Sequence, residues 1–194
     1  MCLIALSVEK NKDWSGKDSY FYKIIANRDE YHERPTSGMK WWSNNIVLAG
    51  RDEEAGGTWL GVSKEGKFGA ITNLKEETDI KYSNSRGSLV TEFLESQLSA
   101  KSYLEALEPN KENYAGFNLI IGDKSGLFYL CNRLEGIFFI SEGIHALGNL
   151  TLNSSTKKIE SIKNDFNQIL HEGFAIDKGL HIMRKEYGNL HEKN

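Results

Sequence analysis

Apolar positions along the chain fall into short runs at first and into helical stripes later. "CLIALSV", residues 2–8, is a continuous apolar run of the length of a buried strand. "SYFYKIIAN", residues 19–27, mixes aromatic and β-branched residues and predicts a second strand ending at "NRDE". A loop is expected over "YHERPTSGMKWWSNN", residues 31–45. Strands are then expected at "IVLAG", "TWLGVS" and "KFGAITN", each bounded by glycine, asparagine or charge. The "SKEGK" turn predicts that the last two form a hairpin.

Between residues 84 and 110 the period changes. Leu89, Val90, Phe93, Leu94 and Leu98 share one helical stripe, which stops at Pro109 and Asn110. Strand-like runs resume in "GFNLIIGD", "GLFYLCN", "GIFFIS" and "IHALGN". A further amphipathic helix follows in "SSTKKIESIKNDFNQILHEG", with Ile159, Ile162, Phe166, Ile169 and Leu170 facing inward. Serine is the expected cap at its start and Gly173 at its end. This order of elements predicts an α+β fold, an αββα sandwich of two antiparallel sheets between helical layers. With only Pro35 and Pro109 and no linker-like stretch, residues 1–194 are expected to form a single domain.

Composition narrows the function classes. The chain has 194 residues, 39% hydrophobic and 26% charged, which is ordinary globular stock. A net charge of −3 lacks the basic footprint of a nucleic-acid binder, so no nucleic-acid partner is expected. No apolar stretch approaches the 18–20 residues of a membrane span. "CLIALSV" lacks preceding basic residues and runs into "EKNKD", so export is not expected. Two cysteines, Cys2 and Cys131, make no disulfide framework and fit a reduced, cytoplasmic setting. His32, His145, His171, His181 and His191 are scattered without ligand spacing, and no metal site is expected.

Candidate chemistry gathers at strand ends. Arg28 and Asp29 follow the second strand, Asn73 closes "FGAIT" and Asn149 closes "IHALG". Rigid sheets present side chains at such positions, although Asn and Asp also serve there as turn formers. Cys2 is readable as a small buried hydrophobe. It is also readable as a nucleophile whose own amine, freed by loss of Met1, takes the thiol proton. Together with an arginine that favours thiolate, an aspartate that positions the amine and an asparagine that donates to an oxyanion, Cys2 makes an acyl-transfer set. The glycines of "GRDEEAGGTWLGV" indicate a tight turn or close backbone approach before Trp59, without the Lys-Ser/Thr of a phosphate loop. Trp41 and Trp42 are readable as the wall of an apolar pocket or as core.

"MCLI", "NRDEYHERPT", "GRDEEAGGTWLGV", "KFGAITN" and "SRGSLVTEFL" stand in an order that resembles the NRDE family, relatives of transport and Golgi organisation protein two. The resemblance is close over residues 1–95 and looser to about residue 150. That family looks like a branch of the N-terminal-nucleophile hydrolases, whose cysteine members cleave carbon–nitrogen amide bonds on an αββα sandwich. The resemblance implies Cys2 as nucleophile, Arg28 and Asp29 as its charged pair, Asn73 beside the oxyanion and Asn149 as a second asparagine. Family members continue into further C-terminal strands, commonly with an "RSST" segment, so an open sheet edge or pocket is expected here. Animal members are linked to haem trafficking and to lipid homeostasis. Two functions are therefore expected: a cysteine amidohydrolase (or thioesterase) on a small-molecule acyl substrate that needs no cofactor, or a non-catalytic carrier of haem or acyl-lipid. The carrier reading takes His32 and His145 as haem ligands. A degenerate scaffold without a site is the third.

Overall fold

The computed structural model describes residues 2–12, 15–16, 18–31, 33–76, 80, 82 and 84–185. Met1, His32 and His191 lie outside the described residues. The elements run β1 (Leu3–Lys12), β2 (Asp18–Asn27), β3 (Thr36–Trp41), β4 (Val47–Asp52), β5 (Leu60–Ser63) and β6 (Phe68–Asn73). Helices α1 (Arg86–Glu95) and α2 (Ala100–Leu107) and a 3₁₀ turn (Glu108–Asn113) follow. Then come β7 (Phe117–Asp123), β8 (Gly126–Cys131), β9 (Phe138–Ile140), β10 (Gly143–Leu147), α3 (Lys157–His171) and α4 (Ile176–Met183).

All the strand pairings are antiparallel and build two sheets, β10-β1-β2 and β3-β4-β5-β6-β7-β8-β9. Alternation along each strand sorts the side chains into layers. Ile4, Leu6 and Val8 of β1 meet Ala70, Ile120 and Leu127 between the sheets, whereas Leu3 and Ala5 turn to Ile159, Ile162 and Phe166 of α3. Phe117, Leu119 and Ile121 of β7 face Val90, Phe93 and Leu104 of α1 and α2. The layers are thus helix, sheet, sheet, helix, as the α+β pattern predicts. "CLIALSV" is continuously apolar because both faces of β1 are covered.

Three local expectations change. The stretch 31–45 contains β3, an exposed edge strand whose mostly exposed side chains leave no apolar alternation to read. The stripe over 84–110 is two helices, and Leu98 lies in the break, 44% exposed. Lys67 explains the break. Its buried Nζ donates to the carbonyls of Phe93 (3.3 Å) and Ser96 and stands 5.0 Å over the Phe93 ring. A cation there satisfies the orphan carbonyls at the end of α1 and complements the helix dipole. Ser99 then caps α2 by accepting from the Ser102 amide at 3.1 Å. Finally, α3 is capped by Thr156 rather than serine, while Gly173 does follow its end at φ +94.

Candidate active site

Strand register places the site. In β1–β10 pairing Ile4 faces Leu147, and in β1–β2 pairing Leu3 faces Asn27. Continued past these last pairs, by one residue on the β2 side and two on the β10 side, the registers set Cys2 opposite Arg28 and Asn149. Directly opposed residues share a face. Ile4, Ala26 and Leu147, two residues in from these ends, all point between the sheets. Cys2, Arg28 and Asn149 therefore close the inter-sheet layer at one end. Asn73 ends β6 of the other sheet, and the Asn149 amide donates to its carbonyl at 2.7 Å. A cleft of about 1780 Å³ opens here, lined by Cys2, Arg28, Asp29, Asn73 and Asn149 together. Its deeper walls are apolar: Tyr22, Ile24 and Ala26 of β2 over Leu60, Val62 and Phe68 of the large sheet.

A buried polar network fixes this end of the sandwich. Thr72, Asn118 and Cys131 form one cross-strand row facing the small sheet. Thr72 Oγ1 donates to the Gly148 carbonyl at 2.8 Å, and Asn118 Nδ2 to the Leu150 carbonyl at 2.9 Å. Tyr129 Oη donates to Asn118 Oδ1 at 2.7 Å and accepts from the Leu152 amide at 3.3 Å. The loop carrying Asn149 is thereby tied to the large sheet. The Asn149 Oδ1 atom is buried beside Cys2's strand with no hydrogen-bond partner among the described residues.

Charges surround the thiol. Burial pushes the Cys2 thiol above its ordinary value, while the Arg28 and Arg86 guanidiniums pull it down and Glu30 adds to the rise. A raised thiol favours its protonated form, so attack by sulfur calls for a base. Arg28 also lies 3.6 Å from Glu30 and 3.7 Å from Asp52. Arg34 holds Asp52 at 2.8 Å. Burial opposes ionisation of Asp52, but the Arg34 hydrogen bond and the Ala55 and Glu54 amides outweigh it and lower its pKa. A carboxyl lowered below its unfolded value of about 3.9 stabilises the fold fully above that pH and loses the effect as pH falls through its folded value. Urea midpoints measured from pH 6 downward should therefore fall more steeply below about pH 4 in the native chain than in Asp52→Asn.

Sequence reading missed Arg86 and Lys158. Arg86 starts α1 inside "SRGSLVTEFL", a stretch legible only as a family mark, and Lys158 lies in the first turn of α3. Both interact electrostatically with Cys2. Arg86 is aimed by a close backbone approach. A Cβ on Gly57 would lie 2.6 Å from the Gly87 carbonyl carbon and 2.8 Å from its oxygen. The Thr58 amide donates to Gly87 at 3.3 Å. The glycines of "GRDEEAGGTW" thus seat this loop on the start of α1. Gly57→Ala is expected to cost roughly 1–3 kcal/mol in the urea midpoint, as other overpacked sites do. An unchanged midpoint would show that the contact is not needed.

Other expectations fall differently. Trp41 and Trp42 do not line the cleft. Trp41 lies 45% exposed under Lys64, and Trp42 packs on the large-sheet core with Arg51 over its ring. Trp59 lines the cleft instead. Among the described residues no histidine lines it. Both ring nitrogens of His145 are engaged at 2.9 Å, one with the Ser141 carbonyl and one with the Asn153 amide, so neither is offered to a haem iron.

The layers define the fold class: an αββα sandwich like that of the N-terminal-nucleophile hydrolases. It is similar to the solved Caenorhabditis elegans N-acylethanolamine-hydrolyzing acid amidase ortholog, with a TM-score of 0.59 and 12% identity over 95% of this chain and 86% of that one. Within that class the chain belongs to the Transport and Golgi organisation 2 family, whose model matches residues 1–191. It is 34% identical to the mouse Transport and Golgi organization 2 homolog over 93% of this chain and 68% of the mouse protein. The human homolog is 33% identical over 94% of this chain and 69% of its own length. The aligned region is thus about two thirds of each relative. No helix among the described residues is long and apolar enough to cross a membrane.

Proposed function

We propose that the chain is an N-terminal cysteine hydrolase that cleaves an amide or thioester bond of a small acyl substrate. What carries this reading is the meeting of Cys2, Arg28, Asp29, Asn73 and Asn149 on one cleft at the end of the inter-sheet layer. Removal of Met1 frees the Cys2 amine, whose reference pKa of about 7.7–8.0 suits a base at neutral pH. The thiol gives its proton to that amine as sulfur attacks the acyl carbon. The Asn73 amide donates to the resulting oxyanion, and the proton passes to the departing amine or thiol. Water then attacks the thioester, giving the carboxylic acid and restoring the thiol. Asp29 positions the amine. The Asn149 Oδ1, without a partner among the described residues and on the same cleft as Cys2, is ready to accept from it.

The test uses p-nitrophenyl decanoate, an activated ester with an apolar acyl chain. A burst of p-nitrophenolate with decanoyl mass added at Cys2 is expected. Neither a burst nor an adduct on correctly processed protein would contradict the reading. A second reading, carriage of an acyl-lipid, is favoured by the apolar walls from Tyr22 to Ala26 and from Leu60 to Phe68. It requires tight binding without any Cys2 adduct. Haem is less well served, because both ring nitrogens of His145 are engaged.

A further inference from the structure

Among the described residues, Arg86 is a cation whose hydrogen-bonding capacity is mostly unspent. It lines the cleft and is half-buried at the first position of α1. Its Nη1 donates to the Gly116 carbonyl at 3.0 Å, the same oxygen that accepts from the Leu74 amide at 2.9 Å. Arg86 is therefore pinned one residue beyond Asn73. A guanidinium offers five donors, and this bond uses one.

The carboxylates near it are taken. Glu76 accepts from Arg133 at 3.0 and 3.3 Å and from the Gly116 amide at 2.5 Å. Glu30 and Asp52 are held by Arg28 and Arg34. Among the described residues no carboxylate stands within ion-pair distance of Arg86. Burial works against its charge, and Glu76 and Glu30 support it only from beyond contact, which leaves a partly desolvated cation facing a cleft that also holds the thiol. A surface arginine escapes this cost by swinging into water. Here the Gly116 bond holds the side chain, and the close approach of Gly57 to Gly87 holds the backbone beside it.

The rest of the cleft completes the pattern. Its apolar walls start beside Asn73 and run back along β6 to Phe68, about 16 Å at 3.3 Å per residue. An acyl chain in that slot with its carbonyl at Cys2 leaves the departing group on the Arg86 side. We propose that Arg86 is the specificity-determining residue of this cleft and holds a carboxylate carried by the departing portion of the acyl substrate. This rests on the reading of Cys2 as nucleophile. A singly charged carboxylate matches one free guanidinium and its paired donors, whereas a phosphate dianion calls for more than one free cation.

Binding tests this without turnover. Cys2→Ala protein is titrated calorimetrically with N-decanoylglycine and with its methyl ester, which differ in the carboxylate charge and not in the acyl chain. The acid is expected to bind at least about tenfold tighter, as a charge-assisted bidentate contact does, and to lose that advantage at high salt. Arg86→Gln should bring the ratio to about one while leaving the ester's affinity unchanged, and Arg86→Lys should keep part of it. A purely structural role at Gly116 would lower affinity for both ligands alike. Equal binding of acid and ester, no binding of either, or a ratio that survives Arg86→Gln would overturn the proposal. If Arg86→Gln does not fold, the acid-to-ester ratio and its salt dependence in the Arg86 chain decide. A preference for the acid without any Cys2 adduct on the ester probe leaves the anion site standing and removes the hydrolase reading. An adduct without preference for the acid does the reverse.

Discussion

Cys2→Ala is expected to abolish burst and turnover with p-nitrophenyl decanoate, by roughly 10⁴-fold or more, as loss of the nucleophile does in other covalent hydrolases. The fold should survive. Cys2 precedes β1 rather than filling the core, and the β1 residues that pack both neighbouring layers, from Leu3 to Val8, are untouched. The thermal midpoint is therefore expected to move by no more than a few degrees. This separation of activity from stability matters, because a structural cysteine would show the opposite: measurable destabilisation and little kinetic change. Turnover that persists in folded Cys2→Ala would move the chemistry to another residue. The pH profile adds a sign. If the freed amine is the base, rate should rise as pH passes about 7.7–8.0, where that amine loses its proton.

Asn118→Leu carries the largest expected stability effect. Asn118 is fully buried and joins Thr72, Tyr129 and the Leu150 carbonyl, so a leucine of similar volume leaves three polar groups short of a partner. Each orphaned buried group costs about 1–3 kcal/mol, and with partial relaxation a total of roughly 2–4 kcal/mol is expected. At this chain length that is roughly 5–15 °C in thermal midpoint. The damage should be local in its functional consequence. Residues 148–152 lose their anchor, Asn149 drifts from the Asn73 carbonyl, and acylation of Cys2 slows along with the loss of stability. Hydrogen exchange should report faster opening of that loop. A variant as stable as the parent, with the loop still protected, would show that the network is incidental.

Much of this architecture is legible in the sequence, for reasons that particular residues show. β1, β2, β6, β7 and α3 are read correctly because burial on one or two faces writes itself into the apolar pattern. β3 is not, because an edge strand with mostly exposed side chains carries no such pattern. The break between α1 and α2 is invisible because Lys67, which causes it, lies elsewhere in the chain and acts through the Phe93 and Ser96 carbonyls. The site divides in the same way. Cys2, Arg28 and Asn149 stand out as polar punctuation at strand ends, and the register sets them side by side. Arg86 and the Thr72–Asn118–Tyr129 network owe their place to pairing between distant segments. The Gly57–Gly87 contact is a further case: the glycines announce a close approach but not its partner.

The reading of this chain as a hydrolase turns on the amino terminus. Intact-mass spectrometry of the purified protein, with peptide mapping after treatment with iodoacetamide, measures it directly. The expected result is a chain without Met1 whose first residue, Cys2, takes the alkyl group. A retained Met1 would leave Cys2 without a free amine and would contradict the mechanism.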